Sequence, residues 1–253
     1  MEIHWVGGNL PQVGKAWTVR ALTESLFLQN PQISPVVVDT SPESPLSQVY
    51  NPGLLAFYTP SNYFTSDLLA SDEIIQIAHT HKTLVVKLST HTQAAFLSWA
   101  EDSGVLDEDI RHNFWFVSNG NRRSLEYFTQ LHRHDWNLNF VQNQYQRVWD
   151  RVEVEDEKSP FNIRDLSGII SNPAEIEFIE MGKATLLELS QPEASHIPLF
   201  TRVRIQRFLK YSCDFLLGDR QQEQLTSVAT PNKPVPLFEF LPEEESEDED
   251  IPL

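Results

Sequence analysis

The sequence predicts an α/β fold, in which a mostly parallel twisted sheet is covered by helices on both faces. Two observations predict it. Short β-rich runs alternate with helical patterns over most of the chain, which is typical of parallel βαβ units. Hydrophobic residues make up 40% of the 253 residues, which is enough for a buried core. We therefore predict one domain over residues 1–221, followed by a disordered acidic tail over residues 222–253.

The first half of the domain alternates strands and helices. The predicted strands are the short apolar runs Ile3–Val6, Pro35–Asp39, Leu54–Tyr58 and Thr83–Leu88. The predicted helices are Gln12–Gln29, Ser66–His79 and Thr92–Asp102. In the first of these helices, Val19, Leu22 and Leu26 follow spacings of three and four, which places them on one apolar face.

The second half continues the pattern. The predicted strands are Asn113–Val117, Asn137–Gln142 and Ile176–Ile179, and the predicted helices are Arg122–Leu131 and Leu199–Leu217. The last helix has an apolar face and a basic stretch formed by Arg202, Arg204, Arg207 and Lys210. We interpret this stretch as the solvated face of an amphipathic helix, with contact to DNA or anionic lipid as the alternative.

Charge distinguishes the domain from the tail. The chain has 19 Lys and Arg against 36 Asp and Glu, a net charge of −17. From Ser227 to Leu253 there are eight acidic residues and one lysine, so this segment carries −7 and the rest of the chain carries −10. The segment also holds several prolines, which lack the N–H group that helices and sheets need. We interpret it as disordered. The negative charge makes direct DNA binding unfavourable.

The tail has two interpretations. The first is a segment that only keeps the protein soluble. The second is a short docking motif for a protein partner, in which Phe238, Phe240 and Leu241 are apolar anchors beside the acidic run. Both interpretations stay open at the level of the sequence.

The remaining composition indicates a cytoplasmic protein without structural disulfides. Cys213 is the single cysteine, which excludes an internal disulfide and a CxxC metal site. The sequence has no apolar stretch of about 18 residues, and its N-terminus does not resemble a signal peptide. Two histidine pairs, His79 with His81 and His132 with His134, lie where helices are predicted to end. Cationic side chains are favourable there, so no metal is predicted.

The first strand leads into a glycine-rich loop and then a helix. The loop runs from Gly8 to Gly14-Lys15. Such a loop brings backbone N–H groups and a helix N-terminus toward an anion, and its lysine reaches the outer phosphates of a nucleotide. The complete motif needs Gly at position 9 and Ser or Thr at position 16, where this chain has Asn9 and Ala16. Gly8, Gly14 and Lys15 are the candidate phosphate-binding residues.

Further motifs follow in an order that one protein family shares. Asp39 ends the second strand in an Asp-x-Ser-Pro motif, a later strand ends in Ser-Asn-Gly, and another ends near Asn143. Together with the loop, this order resembles the ParA/MinD group of deviant-Walker P-loop ATPases over residues 2–217, and within it the MobD-type plasmid mobilisation proteins. The resemblance implies a P-loop NTPase-like fold and ATP or ADP as the ligand. It adds Asp39 and Asn143 to the nucleotide-binding residues, with Asn143 reading adenine.

The resemblance also implies that groups needed for ATP hydrolysis are missing. The signature lysine, which reaches across a dimer, falls on Leu10. The Mg²⁺-binding Ser or Thr falls on Ala16, the second acid of the Asp-x-Asp motif on Ser41, and the Walker B acid on Tyr58. Phosphoryl transfer needs these groups together. We therefore predict no catalytic residue and no ATP-driven dimer, whereas a constitutive homodimer stays compatible with the sequence.

Three functions are compatible with these features. The leading hypothesis is a divergent ParA/MinD-like protein with a degraded nucleotide site, a pseudo-ATPase. It would act as a binding or scaffolding component in plasmid maintenance, mobilisation or subcellular positioning. The second is a slow ATPase of the same type. The third is a protein-interaction module that keeps only the fold, and a fold alone implies no function.

Overall fold

A computed structural model describes residues 1–41, 46–50, 57–58, 69–107, 109–119, 124, 127–128, 131, 136–143, 162–166, 173–181 and 183–218. All of them belong to one unit, Met1–Asp219, and the second unit is Arg220–Leu253. The candidate docking residues Phe238, Phe240 and Leu241 lie outside the described residues. The predicted division into a domain of residues 1–221 and a tail of residues 222–253 stays a prediction.

Strands and helices alternate along the described chain. The strands are β1 (Glu2–Gly7), β2 (Val36–Asp39), β3 (Phe57–Tyr58), β4 (Thr83–Lys87), β5 (Arg111–Ser118), β6 (Asn137–Asn143) and β7 (Asn162–Leu166). The helices are α1 (Lys15–Gln29), α2 (Leu46–Tyr50), α3 (Leu69–His81), α4 (Gln93–Asp102), α5 (Pro173–Met181), α6 (Leu186–Leu189) and α7 (Leu199–Leu217). A 3₁₀ turn, Val105–Asp107, precedes β5.

The strands of the described residues form one sheet in the order β3-β2-β4-β1-β5-β6-β7. Every neighbouring pair in that order is parallel, so the carboxyl ends of all the strands meet at one edge of the sheet. Strand β1 lies in the middle, between β4 and β5. The loop that follows β1 therefore emerges at the centre of the carboxyl edge, where open α/β sheets bind their ligands.

Helices cover both faces of the sheet, and each face has its own apolar core. On one face, α3 and α4 pack against side chains that include Trp5, Val86 and Phe116. On the other face, α1, α2, α5, α6 and α7 pack against side chains that include Val85 and Trp115. The predicted fold class, a parallel sheet with helices on both faces, is confirmed.

The central strands carry a tryptophan–histidine pair on each face. Trp5 Nε1 donates to His112 Nδ1 over 3.1 Å, and Trp115 Nε1 donates to His4 Nδ1 over 3.1 Å. These pairs form between β1 and β5, and all four side chains are buried. A buried indole N–H needs an acceptor, so the two histidines act here as neutral partners of tryptophan.

Two elements differ from the sequence prediction. The predicted strand Ile176–Ile179 is wrong, because these residues belong to helix α5. Ile176 and Ile179 lie three residues apart on one helical face, and Ile179 is buried whereas Phe178 is exposed. Strand β7 is not predicted, because its segment Asn-Ile-Arg-Asp-Leu is largely polar. Such a composition is tolerated at the edge of the sheet, where β6 is the one neighbour of β7 among the described strands.

The predicted helix Leu199–Leu217 has the same ends in the structure, and the other predicted elements appear with ends shifted by a few residues where the structure describes them. Residues 54–56 of one predicted strand and 66–68 of one predicted helix lie outside the described residues. In the predicted helix Arg122–Leu131, the described residues Ser124, Tyr127, Phe128 and Leu131 are helical. Helices α2 and α6 are five and four residues long, too short for an apolar period to show in the sequence. No helix in the described part of the chain could span a membrane.

Candidate functional site

The loop between β1 and α1 requires glycine at two positions. Gly14, the residue before α1, has a φ of 99°, in the left-handed region that favours glycine. A Cβ atom on Gly14 would lie 2.2 Å from Asn143 Nδ2. A Cβ atom on Gly8 would lie 2.5 Å from the carbonyl oxygen of Val117, at the end of β5. The loop is thus wedged between the ends of β5 and β6.

Lys15, at the first position of α1, folds back over this loop. Its ammonium group donates to the carbonyl oxygens of Gly8 at 2.9 Å and Leu10 at 3.3 Å, and to Thr90 Oγ1 at 2.7 Å. An ammonium has three N–H donors, and these three contacts match them. The lysine that would reach a phosphate therefore binds the loop itself in this structure.

The buried position of Lys15 makes the charged form of its ammonium group unfavourable. Its side chain is only 7% exposed. Burial and, to a smaller extent, the positive charge of Lys87 lower the pKa of Lys15 to about 8, while Asp39 acts in the opposite direction. The charged form of a buried lysine is stabilised by a nearby anion, so an anionic ligand at the loop would raise the pKa of Lys15 again.

Two amide side chains hold the loop from opposite sides. The backbone N–H of Gly8 donates to Gln93 Oε1, from the start of α4, over 3.1 Å. Asn143 Nδ2, at the end of β6, donates to the carbonyl oxygen of Val13 over 2.8 Å. Asn143 was predicted to read adenine. The structure places its side chain against Gly14, where its hydrogen bond to Val13 holds the glycine loop in place.

Asp39 and Lys87 form a buried ion pair beside the loop. Lys87 Nζ lies 3.0 and 3.2 Å from the two carboxylate oxygens of Asp39 and 3.1 Å from Ser41 Oγ. The Asp39 side chain is fully buried. Asp39 Oδ1 also accepts the backbone N–H of Ser41 over 2.9 Å. The carboxylate is therefore surrounded by donors from its own strand end and from β4.

Hydroxyl groups complete this edge of the sheet. Ser89, Thr90 and Thr92 follow β4, and Thr40 follows β2. Thr40 Oγ1 accepts the backbone N–H of Ser89 over 2.9 Å and lies 3.3 Å from Thr92 Oγ1. Ser89 Oγ lies 3.0 Å from Thr92 Oγ1. These contacts hold the turn after β4 against the turn after β2, with Thr90 facing Lys15.

The position assigned to the Walker B acid needs correction. Tyr58 ends β3, which lies at the edge of the sheet and is separated from β1 by β2 and β4. The strand beside the loop strand is β4, which ends at Lys87. The sequence could not show which strand lies beside β1, because β2, β3 and β4 follow one another in the chain but not in the sheet.

The residues present do not fit a magnesium ion at the loop. Ala16, at the hydroxyl position of the motif, offers no oxygen and packs against the core on the α1 face. Asp39 is already bound by an ammonium group, and Mg²⁺ prefers free carboxylate and hydroxyl oxygens. Within the described residues, no group of three or more His, Cys, Asp or Glu side chains could hold a metal ion.

The structure brings five predicted residues, Gly8, Gly14, Lys15, Asp39 and Asn143, to the carboxyl edge around β1. It adds Lys87, Thr90 and Gln93, which the sequence prediction missed. Lys87 had a visible signal, since a lysine ends the buried run Leu-Val-Val. Two ammonium groups, one neutralised carboxylate and several hydroxyls are suited to holding an oxyanion. The described residues offer no free carboxylate at this edge to act as a base.

The chain matches no protein-family model and no curated protein sequence. Its fold is similar to that of a ParA family ATPase from Chlorobium tepidum TLS, with 11% identity, 82% of this chain and 97% of that chain covered, and a TM-score of 0.53.

Two further structures are less similar. The nucleotide-binding protein in complex with ADP from Archaeoglobus fulgidus has 11% identity, coverage of 78% and 91%, and a TM-score of 0.46. The MinD cell division protein from Aquifex aeolicus has 13% identity, coverage of 92% and 100%, and a TM-score of 0.47. The first of the three comparisons carries the conclusion: the chain has the fold of a ParA family ATPase.

Proposed function

We propose that the chain is a ParA/MinD-like protein that binds ATP or ADP at its glycine loop without turning it over. It serves as a binding or scaffolding component in plasmid maintenance, mobilisation or subcellular positioning, with a protein as its partner. The observation that carries this proposal is the composition of the loop edge. Lys15 is retained, whereas the Asp39 carboxylate is neutralised by Lys87.

Several features of the loop support nucleotide binding. Gly14 precedes α1 in the left-handed conformation and brings the glycine loop to the start of this helix, and the N-terminus of a helix attracts anions. Lys15 is buried with a lowered pKa, so a phosphate would relieve the cost of its charge. The solved structure that shares the fold is named an ATPase.

The same contacts oppose hydrolysis. Hydrolysis needs a metal-bound phosphate and a positioned water. Ser41, which would position the water, is bound by Lys87 and is a weak base. We therefore expect a phosphate release rate at background, far below the roughly 1 s⁻¹ at the lower end of common kcat values.

One observation favours a second candidate, an interaction module without any nucleotide. The three donors of Lys15 are already satisfied by Gly8, Leu10 and Thr90. A loop closed in this way is stable without a ligand. This candidate differs from the first in one measurable property, the binding of nucleotide.

Thermal unfolding tests the proposal, because a ligand of the native state raises the apparent melting temperature. ATP and ADP at millimolar concentration should raise the melting temperature of the wild type. Lys15→Ala should remove that shift, while Lys210→Ala, which changes an exposed lysine on α7, should keep it.

Phosphate release should be equal in the wild type and in Lys15→Ala. A wild-type rate clearly above that of Lys15→Ala would favour the slow ATPase instead, and a missing shift would favour the interaction module.

A further inference from the structure

We infer that the loop edge binds the phosphates of a nucleotide without a divalent cation, and that Lys87 supplies the positive charge that such an ion would provide. This inference rests on the proposed function, since it concerns the same ligand. It makes a separate claim about how the negative charge of the phosphates is balanced.

The sheet places Lys87 beside the loop. In the pairing of β4 with β1, Lys87 lies opposite Val6, two residues before Gly8. In the pairing of β4 with β2, Lys87 lies opposite Asp39. The lysine therefore stands between the loop strand and the only described carboxylate that contacts this edge. The positive charge of Lys87 also lowers the pKa of Lys15.

The contacts of Asp39 make it unsuited to a metal. Its Oδ1 accepts both Lys87 and the backbone N–H of Ser41, and its Oδ2 accepts Lys87 at 3.0 Å. A Mg²⁺ ion bound to this carboxylate would have to displace the ammonium or lie against it. Two like charges at such a distance repel one another, and the repulsion is strong where burial excludes water.

The donors at the edge are complementary to phosphate. Lys15 and Lys87 carry two positive charges and Asp39 carries one negative charge, so the described cluster has an excess of one positive charge. Ser41 and Thr90 hydroxyls contact Lys87 and Lys15 at 3.1 and 2.7 Å. When a phosphate binds, each ammonium can exchange a hydroxyl or carbonyl acceptor for a phosphate oxygen. A hydrogen bond from an ammonium group to a phosphate oxygen joins opposite charges, so it is stronger than the bond to a neutral acceptor that it replaces.

Isothermal titration with ADP tests the inference, once with EDTA and once with excess MgCl₂. The affinity of the wild type in EDTA should equal or exceed its affinity in MgCl₂. Lys87→Met keeps the aliphatic stem but removes the charge, and should weaken ADP binding by about tenfold or more. Lys210→Met changes the net charge equally at an exposed site and should change the affinity less than twofold.

Asp39→Asn provides the opposite test, and it keeps both lysines if Lys87→Met fails to fold. Removing the negative charge should raise ADP affinity in EDTA, because the carboxylate then no longer competes with the phosphates for Lys87. If Asp39 held a metal, the same substitution would weaken binding in MgCl₂. Binding by the wild type that requires MgCl₂ would overturn the inference and leave the proposed function intact, as would Lys87→Met binding with wild-type affinity. Absence of ADP binding under both conditions would overturn nucleotide binding itself.

Discussion

Lys15 and Lys87 are two buried cations at the carboxyl edge of the sheet, and their ammonium groups have different kinds of partners. Lys87 has a carboxylate partner in Asp39. Among the described residues, the acceptors of the Lys15 ammonium group are two carbonyl oxygens and a hydroxyl. Burial and the positive charge of Lys87 lower the pKa of Lys15 to about 8. Because these acceptors of Lys15 are neutral, whereas Lys87 already has a carboxylate partner, an anionic ligand would stabilise the charge of Lys15 more than that of Lys87.

The lowered pKa predicts how nucleotide affinity depends on pH. Lys15 is mostly charged at pH 7 and mostly neutral at pH 9, because its pKa is about 8. ADP affinity should therefore fall by up to about tenfold between pH 7 and pH 9. Titration calorimetry at pH 7, 8 and 9 measures this change. Lys15→Arg stays charged over the range, so any binding by that variant should not show the fall. A wild-type affinity independent of pH would mean that Lys15 does not bind the phosphates.

Gly14 and Asn143 predict a coupled effect on stability. Gly14→Ala combines an unfavourable φ of 99° with a Cβ atom 2.2 Å from Asn143 Nδ2, so we expect a loss of about 3 kcal/mol. Asn143→Ala removes the hydrogen bond to Val13, at a cost of about 1 kcal/mol. The double variant should cost less than the sum, because truncation of Asn143 removes the clash. Denaturant unfolding measures the three values, and additivity within about 0.5 kcal/mol would contradict the predicted clash.

At the scale of elements, helix α1 is joined to α6 by a buried carboxyl group. Glu24, in α1, accepts the backbone N–H groups of Leu186 and Leu187 at 3.0 and 2.7 Å and the hydroxyl of Tyr50 at 3.2 Å. Thr185 caps α6 through a capping box with Glu188. The helix that begins at the loop is thus anchored to the segment before α7.

Glu24 predicts a loss of stability as pH rises through neutrality. Burial raises its pKa to about 7 from an ordinary value of 4.5, so between these values the folded state binds more protons than the unfolded state. Stability therefore falls as pH rises. Relative to Glu24→Gln, the wild type should lose about 2 kcal/mol of unfolding free energy between pH 5.5 and pH 8. Urea unfolding at both values tests this, and an equal pH dependence in both proteins would contradict it.

At the scale of the whole molecule, the basic stretch of α7 is partly neutralised. Arg202 donates to the carbonyl oxygens of Gln191 and Pro192, and Arg204 pairs with Glu175. These contacts favour the interpretation as a solvated, internally bonded helix face. Arg202, Arg207 and Lys210 keep their positive charges, but these three charges stand against a net charge of −17 for the chain, which is repelled by DNA phosphates.

The fold also predicts how the chain responds to ATP. Leu10, at the position of the signature lysine, packs against the core on the α1 face and brings no charge to an interface. Arg20 cannot replace it, because it is 5% exposed and donates to the carbonyl oxygen of Ala184. ATP with Mg²⁺ should therefore leave the sedimentation coefficient unchanged. The control is the same run without nucleotide, and an ATP-induced dimer would contradict the prediction.

The sequence alone was sufficient for the class of fold and for the place of the loop. Buried parallel strands and amphipathic helices have local periods that are readable without tertiary contacts, and a glycine loop with Gly14 and Lys15 is a local pattern. Local patterns fail for elements that tertiary contacts stabilise. Strand β7 is polar and forms because β6 supplies the backbone hydrogen-bond partners that it needs. Helix α5 resembles a strand in the sequence because its apolar run is short.

Only the tertiary structure decided which side chains meet. Strand order is a property of the packed sheet, so Lys87 became a neighbour of the loop, and Tyr58 became an edge residue, only when β4 lay beside β1. The partners of Asp39 and Lys15 follow from that order, because Lys87 and Thr90 are far from them in the chain. The sequence by itself determined the fold class and the place of the glycine loop. The charges around that loop depend on non-local pairing, and the fold alone determined them.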